Sequence, residues 1–267
     1  MRTWLLRFAA IAGLSLLAFS AQANALLPVQ NLTFSNYSGY APKTLFSAVN
    51  PANWYRGTPG PNGDLVSIDA PGTATVNSQA HGNAYPVYGP FADPPSGGNF
   101  IQADGNPDFE SSFNQDISGL VIGDTYDLSF WQAAGQQQGF TGATTEQWVV
   151  ALGAQGSVLN VTLHTGFGTY FDTDPLANIQ LSPLMNTPSG GVSAWNQVTM
   201  SFTATAVDQT LSFLAWGDNG NTTNLPPTVF LAGVNTPSVP EPATLALFGI
   251  GLLGLGGNML RRRPKRD

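Results

Sequence analysis

The chain has no cysteine. In an exported protein this excludes disulfide staples, thiolate zinc sites and thiol catalysis together, so the fold must be held by its core or by oxygen-ligated metal. Histidine is nearly absent, with only His81 and His164, and the two are not at metal-motif spacing. A histidine-based triad would need one of them, and no Gly-x-Ser-x-Gly turn supplies a nucleophile. Basic residues are scarce and badly distributed. Arg2 and Arg7 open the chain and Arg261, Arg262, Arg263, Lys265 and Arg266 close it, which leaves only Lys43 and Arg56 between. The acidic residues, apart from Glu241 and Asp267, all lie in that middle. An acidic body without a basic patch has nothing to release counterions from phosphates, and this argues against nucleic acid as a partner. Repeats of solenoid or propeller length are missing as well.

What is present at the two ends concerns sorting. Behind Arg2 and Arg7 comes an apolar stretch, Phe8 to Phe19, and then small residues around Ala23 and Ala25. This is the pattern of a secretory signal peptide over residues 1–25. At the other end, residues 243–260 carry no charge, and as a helix they would be roughly 27 Å long, enough for a bilayer core. The basic cluster at 261–267 would stay on the cytoplasmic side and leave the body, residues 26–238, across the membrane. Two prolines around Glu241 hold the preceding segment extended, as a processing enzyme requires.

The run Val239, Pro240, Glu241, Pro242, Ala243, Thr244, Leu245, followed by the apolar stretch and the arginine cluster, resembles the PEP-CTERM sorting signal of Gram-negative, exopolysaccharide-producing bacteria. The resemblance implies recognition by an exosortase-type enzyme that cuts near Pro240, Glu241 and Pro242. It also implies an inner-membrane-anchored precursor with a periplasmic body, and then a place at the cell surface or in the extracellular matrix.

Between the ends the dominant pattern is alternation. Tyr126, Leu128 and Phe130 share one face of 125–131; Val198, Met200 and Phe202 share one face of 197–203; Leu211 and Phe213 do so in 209–216. Further strands are expected at 29–34, 65–68, 99–103, 146–152, 158–163 and 228–234, with Gly, Pro, Asn and Asp in the turns. This is an all-β pattern, and a jelly-roll type β-sandwich is the expected architecture. The stretches 117–130, 195–202 and 229–234 resemble strands of galactose-binding-like and carbohydrate-binding jelly rolls, which implies a non-catalytic module with polysaccharide as its ligand.

Two groups of residues suggest chemistry. Asp104, Asn106, Asp108 and Glu110 alternate, so an extended segment would project four oxygen-bearing side chains to one side, as calcium prefers. The plainer reading is a polar turn. Trp54 and Tyr55, then Tyr85, Tyr88 and Phe91, sit in Pro/Gly-rich stretches, where exposed rings could stack on sugars or, alternatively, plug the ends of the core. Glu110 and Glu146 are the body's only glutamates, so a glycosidase pair would have to draw on them or on aspartates. The readings in play are a polysaccharide-binding surface protein, a purely structural matrix protein and a glycoside hydrolase.

Overall fold

A computed structural model describes residues 24–36, 51–76, 86–109, 111–159, 178–218 and 225–235. The expected signal peptide and sorting segment, with Lys43, Tyr85, Glu110, His81 and His164, lie outside the described residues.

Twelve strands run in the order β1 (Ala25–Leu26), β2 (Tyr55–Arg56), β3 (Val66–Asp69), β4 (Phe100–Asp104), β5 (Phe113–Ile117), β6 (Thr125–Gln136), β7 (Thr144–Ala154), β8 (Asn178–Leu181), β9 (Met185–Thr187), β10 (Asn196–Thr203), β11 (Gln209–Gly217) and β12 (Pro227–Ala232), with no α-helix among the described residues. They form two sheets. The first has the order β1-β6-β12-β4-β3, with β10 also on β6; the second has the order β2-β5-β11-β7-β8, with β9 also on β7. Successive strands from β4 to β7, and again from β10 to β12, cross from one sheet to the other. The body is a β-sandwich of jelly-roll type.

Side-chain alternation sets the register. Val198 lies opposite Phe130, Met200 opposite Leu128 and Phe202 opposite Tyr126, and all six are buried in the core. Their neighbours Gln197, Thr199, Ser201 and Thr203 point outward and are exposed. A slip of one residue would bury that polar row and expose the apolar one, so this pairing is strongly specified. From the second sheet, Phe213 meets Phe130 edge-on at 5.2 Å and Trp148 at 6.0 Å, closing the sandwich across its middle.

Several strands are buried on both faces. Behind the second sheet, Val149, Ala151, Leu159, Leu214 and Trp216 form a separate apolar cluster. Behind the first, Ala74, Val87, Phe100, Ala133, Phe230 and Ala232 form another, against which Phe91, Trp131 and Trp195 pack. This accounts for the near-continuous apolar runs 148–152 and 229–232, since strands covered on both sides have no polar face to alternate with.

The strand expected at 29–34 is not formed. The chain turns there instead, with Asn31 and Phe34 at positive φ (50° and 53°). The Asn31 side chain accepts the Asn36 N–H (3.0 Å) and donates to the carbonyls of Asn36 (2.8 Å) and Ala52 (3.1 Å). Asn tolerates the left-handed region because its short amide can bond the local backbone. Of the stretch expected at 158–163, residues 160–163 lie outside the described set, and Val158 and Leu159 belong to no strand.

At one end of the sandwich the sheets touch backbone to backbone. Gly217 N–H donates to the Gly105 carbonyl at 2.9 Å. A Cβ on Gly105 would lie 2.7 Å from the Gly217 nitrogen, so only glycine permits the approach.

Candidate functional site

The aromatic residues expected on loops do not form one surface. Trp54 is a core side chain at 3% exposure, which corrects the expectation of an exposed sugar-stacking ring. It lies flat on Phe113 at 4.8 Å and 5°, meets Phe34 edge-on at 5.3 Å, and its indole N–H donates to the Gln30 carbonyl at 3.1 Å. Its face is therefore already occupied. Tyr55, half-buried on β2, donates its hydroxyl to Asp116 Oδ1 at 2.8 Å, and Thr210 donates to the same oxygen at 2.7 Å. Burial, reinforced by Asp116, pushes the Tyr55 phenol up to about 12. Tyr88 lies in a segment beside the end of β6 in the other sheet, donating to the Phe140 carbonyl (3.0 Å) and accepting the Gly139 N–H (3.2 Å).

The segment from Asp104 is a turn, not an extended row of oxygens. Asp104 Oδ1 accepts the Asn106 N–H at 2.8 Å, and Asn106 Oδ1 accepts the Asp108 N–H at 3.0 Å. These are two successive turns of the kind Asp and Asn make with their own backbone, and they fold the side chains inward. Asp104 and Asn106 are buried, and Asp108 is half-buried. Among the described residues no group of three or more His, Cys, Asp or Glu side chains could hold a metal ion.

The turn brings Asp104 toward carboxylates that are remote in sequence. The Gly105–Gly217 contact carries Asp104 near Asp218, whose Oδ1 accepts the Thr145 N–H at 3.0 Å, one residue from Glu146. Glu146 is fully buried; its Oε2 accepts the Thr187 hydroxyl at 2.9 Å and its Oε1 has no hydrogen-bond partner. Burial pushes Asp104 up to about 7 and Glu146 up to about 7, and the charge of Asp218 adds to both. Asp69 is also raised by burial. Raised carboxyls can mark catalysis. Here neither side chain is open to a substrate.

Among the described residues, an exposed polar strip lies on the outer face of the first sheet over β6 and β10. Gln197 lies opposite Trp131, Thr199 opposite Ser129, Ser201 opposite Asp127 and Thr203 opposite Thr125. The Ser201 hydroxyl (2.6 Å) and the Asn24 amide (2.9 Å) both donate to Asp127 Oδ1 and hold that carboxyl below its usual range. Two indoles bound the strip. Trp131 is half-buried, packed against the apolar cluster behind the sheet, and Trp195, also half-buried there, is fixed by its N–H on the Ala92 carbonyl (2.7 Å) and by Phe91 at 5.7 Å. Such a strip offers ring faces for the apolar side of a sugar and hydroxyl and amide groups for its oxygens. It carries a single carboxylate and no cation.

Sequence reasoning named Phe91 but passed over Trp131 and Trp195. The signal was in the same alternation that gave the strand: Trp131 falls in the outward phase of 125–131, and Trp195 stands just ahead of an exposed polar row.

Residues 238–263 match the PEP-CTERM protein-sorting motif, which marks an exported protein recognised by an exosortase. No curated protein matches the chain. Among solved structures, TmCBM61 in complex with beta-1,4-galactotriose is 10% identical over 77% of this chain and 94% of its own, with a TM-score of 0.35. The CBM22-2 xylan-binding domain of Paenibacillus barcinonensis Xyn10C is 12% identical over 70% and 91%, with a TM-score of 0.36. The enzymatically active domain of bacteriophage CBA120 tailspike protein 4 is 12% identical over 75% of this chain, with a TM-score of 0.35, and the chain spans only 21% of its length. What those proteins bind or cleave belongs to them. Among the described residues no helix is long and apolar enough to cross a membrane.

Proposed function

We propose that this is a non-catalytic, polysaccharide-binding protein of the cell surface or extracellular matrix, whose sandwich holds glycan chains on the outer face of the first sheet. The observation that carries the reading is the pairing of half-buried Trp131 with the exposed Gln197 and Thr199 row beside it. The sorting motif supports the destination. Residues 1–25 are a signal peptide in this account, 243–260 span the inner membrane before processing, and 261–267 stay in the cytoplasm. Burial of Glu146 and Asp104 speaks against a hydrolase, since a glycosidase needs two carboxyls facing the same bond. A purely structural matrix protein would share the fold and lack the glycan affinity.

The test is affinity electrophoresis through gels containing the host's own exopolysaccharide. Trp131→Ala is expected to weaken retention roughly two- to tenfold, the equivalent of about 0.5–1.5 kcal/mol for a stacked ring, and exposed Gln197→Ala should weaken it without altering the melt. Retention that is equal in both variants and the parent would move the site elsewhere. Processing gives a second check: Glu241→Ala is expected to accumulate as an uncut, membrane-held form, and normal cutting would contradict the role given to that residue.

A further inference from the structure

The pole opposite the buried carboxylates is apolar on its surface. Leu26 (57% exposed), Val121 (56%), Ile122 (62%) and Val207 (49%) all lie at this end, where β6 begins and β10 ends. The loops that carry three of them are tied together. Leu120 N–H donates to the Val207 carbonyl (2.9 Å), Gly123 N–H to Ala204 (2.8 Å) and Asp124 N–H to Val121 (3.0 Å), while the Tyr126 hydroxyl accepts the Val121 N–H (2.9 Å). Leu120 is the buried plug of this loop, so its neighbours Val121 and Ile122 are left on the outside. No Lys or Arg stands at this pole among the described residues, and exposed Asp124 and Asp208 flank it.

The chain leaves the body toward the same pole. β12 runs antiparallel to β6, and beyond it Asn235 N–H donates to the Ser129 carbonyl (2.6 Å) while its side-chain amide donates to Leu27 (2.6 Å). Eight Cα-to-Cα steps separate Asn235 from Ala243, where the apolar run starts, and they reach at most about 28 Å. Passing the four residues from Ser129 to the start of β6 uses about 13 Å of that. A tether that runs straight toward the pole therefore lets the apolar run start no more than roughly 15 Å beyond it, and a tether this short gives an effective concentration on the order of millimolar.

We propose that in the membrane-held precursor this pole rests on the lipid surface, with Val121, Ile122, Val207 and Leu26 entering the headgroup boundary and the carboxylate pole pointing away. The inference rests on reading 243–260 as a membrane span. Its partner is a bilayer of uncharged headgroups: four apolar side chains favour the interface, and Asp124 and Asp208 oppose anionic lipid.

The absence of cysteine makes the test clean, because a single introduced thiol carries the only label. Full-length Ile122→Cys and, at the opposite pole, Thr141→Cys would each carry an environment-sensitive dye and be reconstituted into phosphatidylcholine vesicles. The dye at 122 is expected to shift to the blue and be quenched by brominated lipid, whereas the dye at 141 does neither. Val121→Asp with Val207→Asp should abolish the shift at 122, and added phosphatidylglycerol should reduce it. A chain that stays with the vesicles after an alkaline wash while the dye at 122 reports water overturns the lipid contact alone. A chain washed off overturns the span and the contact together. A blue shift that depends on protein concentration in detergent overturns the proposal in favour of a second copy of the chain.

Discussion

Trp54→Ala is expected to destabilise the body by about 3–5 kcal/mol, the range for deleting a large aromatic side chain from a packed core. The cost has identifiable parts. The ring loses its stack on Phe113 and its edge contact with Phe34, and the Gln30 carbonyl loses one of its two donors, keeping the Gln115 amide at 2.9 Å. For a body of this size each kcal/mol corresponds to about 2–4 °C, so the melting temperature should fall by roughly 6–20 °C. Trp54→Phe keeps the stack and should recover most of the loss. Urea melts of the two variants give the comparison, and a change below about 1 kcal/mol for the alanine variant would contradict the core placement.

Stability is expected to fall as pH rises from about 4 to above 7. Asp104 moves from an ordinary 3.8 up to about 7 in the folded body, and Glu146 from 4.5 up to about 7, both chiefly because burial disfavours the charged form. A raised carboxyl binds its proton more tightly when folded than when unfolded. Its contribution is therefore fully present below the unfolded value and is lost as pH climbs through the folded one. Each tenfold gain in proton affinity on folding corresponds to about 1.4 kcal/mol, so the two groups together carry several kcal/mol. Asp69, raised by burial as well, acts in the same direction. Glu146→Gln and Asp104→Asn should each flatten the dependence, the latter while keeping an oxygen for the Asn106 N–H. Melting temperatures measured from pH 4.5 to 8 decide the matter; a parent whose stability is flat or rising across that range would contradict the burial of these groups as neutral acids.

These two results also mark where sequence reasoning worked and where it stopped. The half-buried strands β6, β10 and β11 stood out because one face alternates with the other, and their register followed from the same alternation. Strand β5 was missed, for its run Phe113–Ile117 holds Asn114 and Gln115, polar residues that are buried in the fold. Trp54 was misplaced because Pro/Gly-rich surroundings suggest an exposed loop, whereas the turn at Asn53 (φ 69°) precedes a ring directed into the core. The carboxylate pole could not have been found locally: Asp104, Glu146 and Asp218 come from three elements, joined by a contact between two glycines. Arg56, the only cation among the described residues, is absorbed by a salt bridge to Asp64 and leaves the rest of the acidic surface unbalanced. The tail, by contrast, was legible in full as a motif, because sorting signals are read as short linear stretches and need no fold.

Glycan binding without cleavage is tested by incubating the purified body with the host's exopolysaccharide, following heat by titration calorimetry and new reducing ends by colorimetry on the same samples. Saturable binding that persists at moderate salt, with no release of reducing ends, is the predicted result, since stacking and hydrogen bonds are weakly screened. New reducing ends would make the protein a glycan-cleaving enzyme, and the absence of binding heat from the folded parent would leave it a structural protein of the matrix.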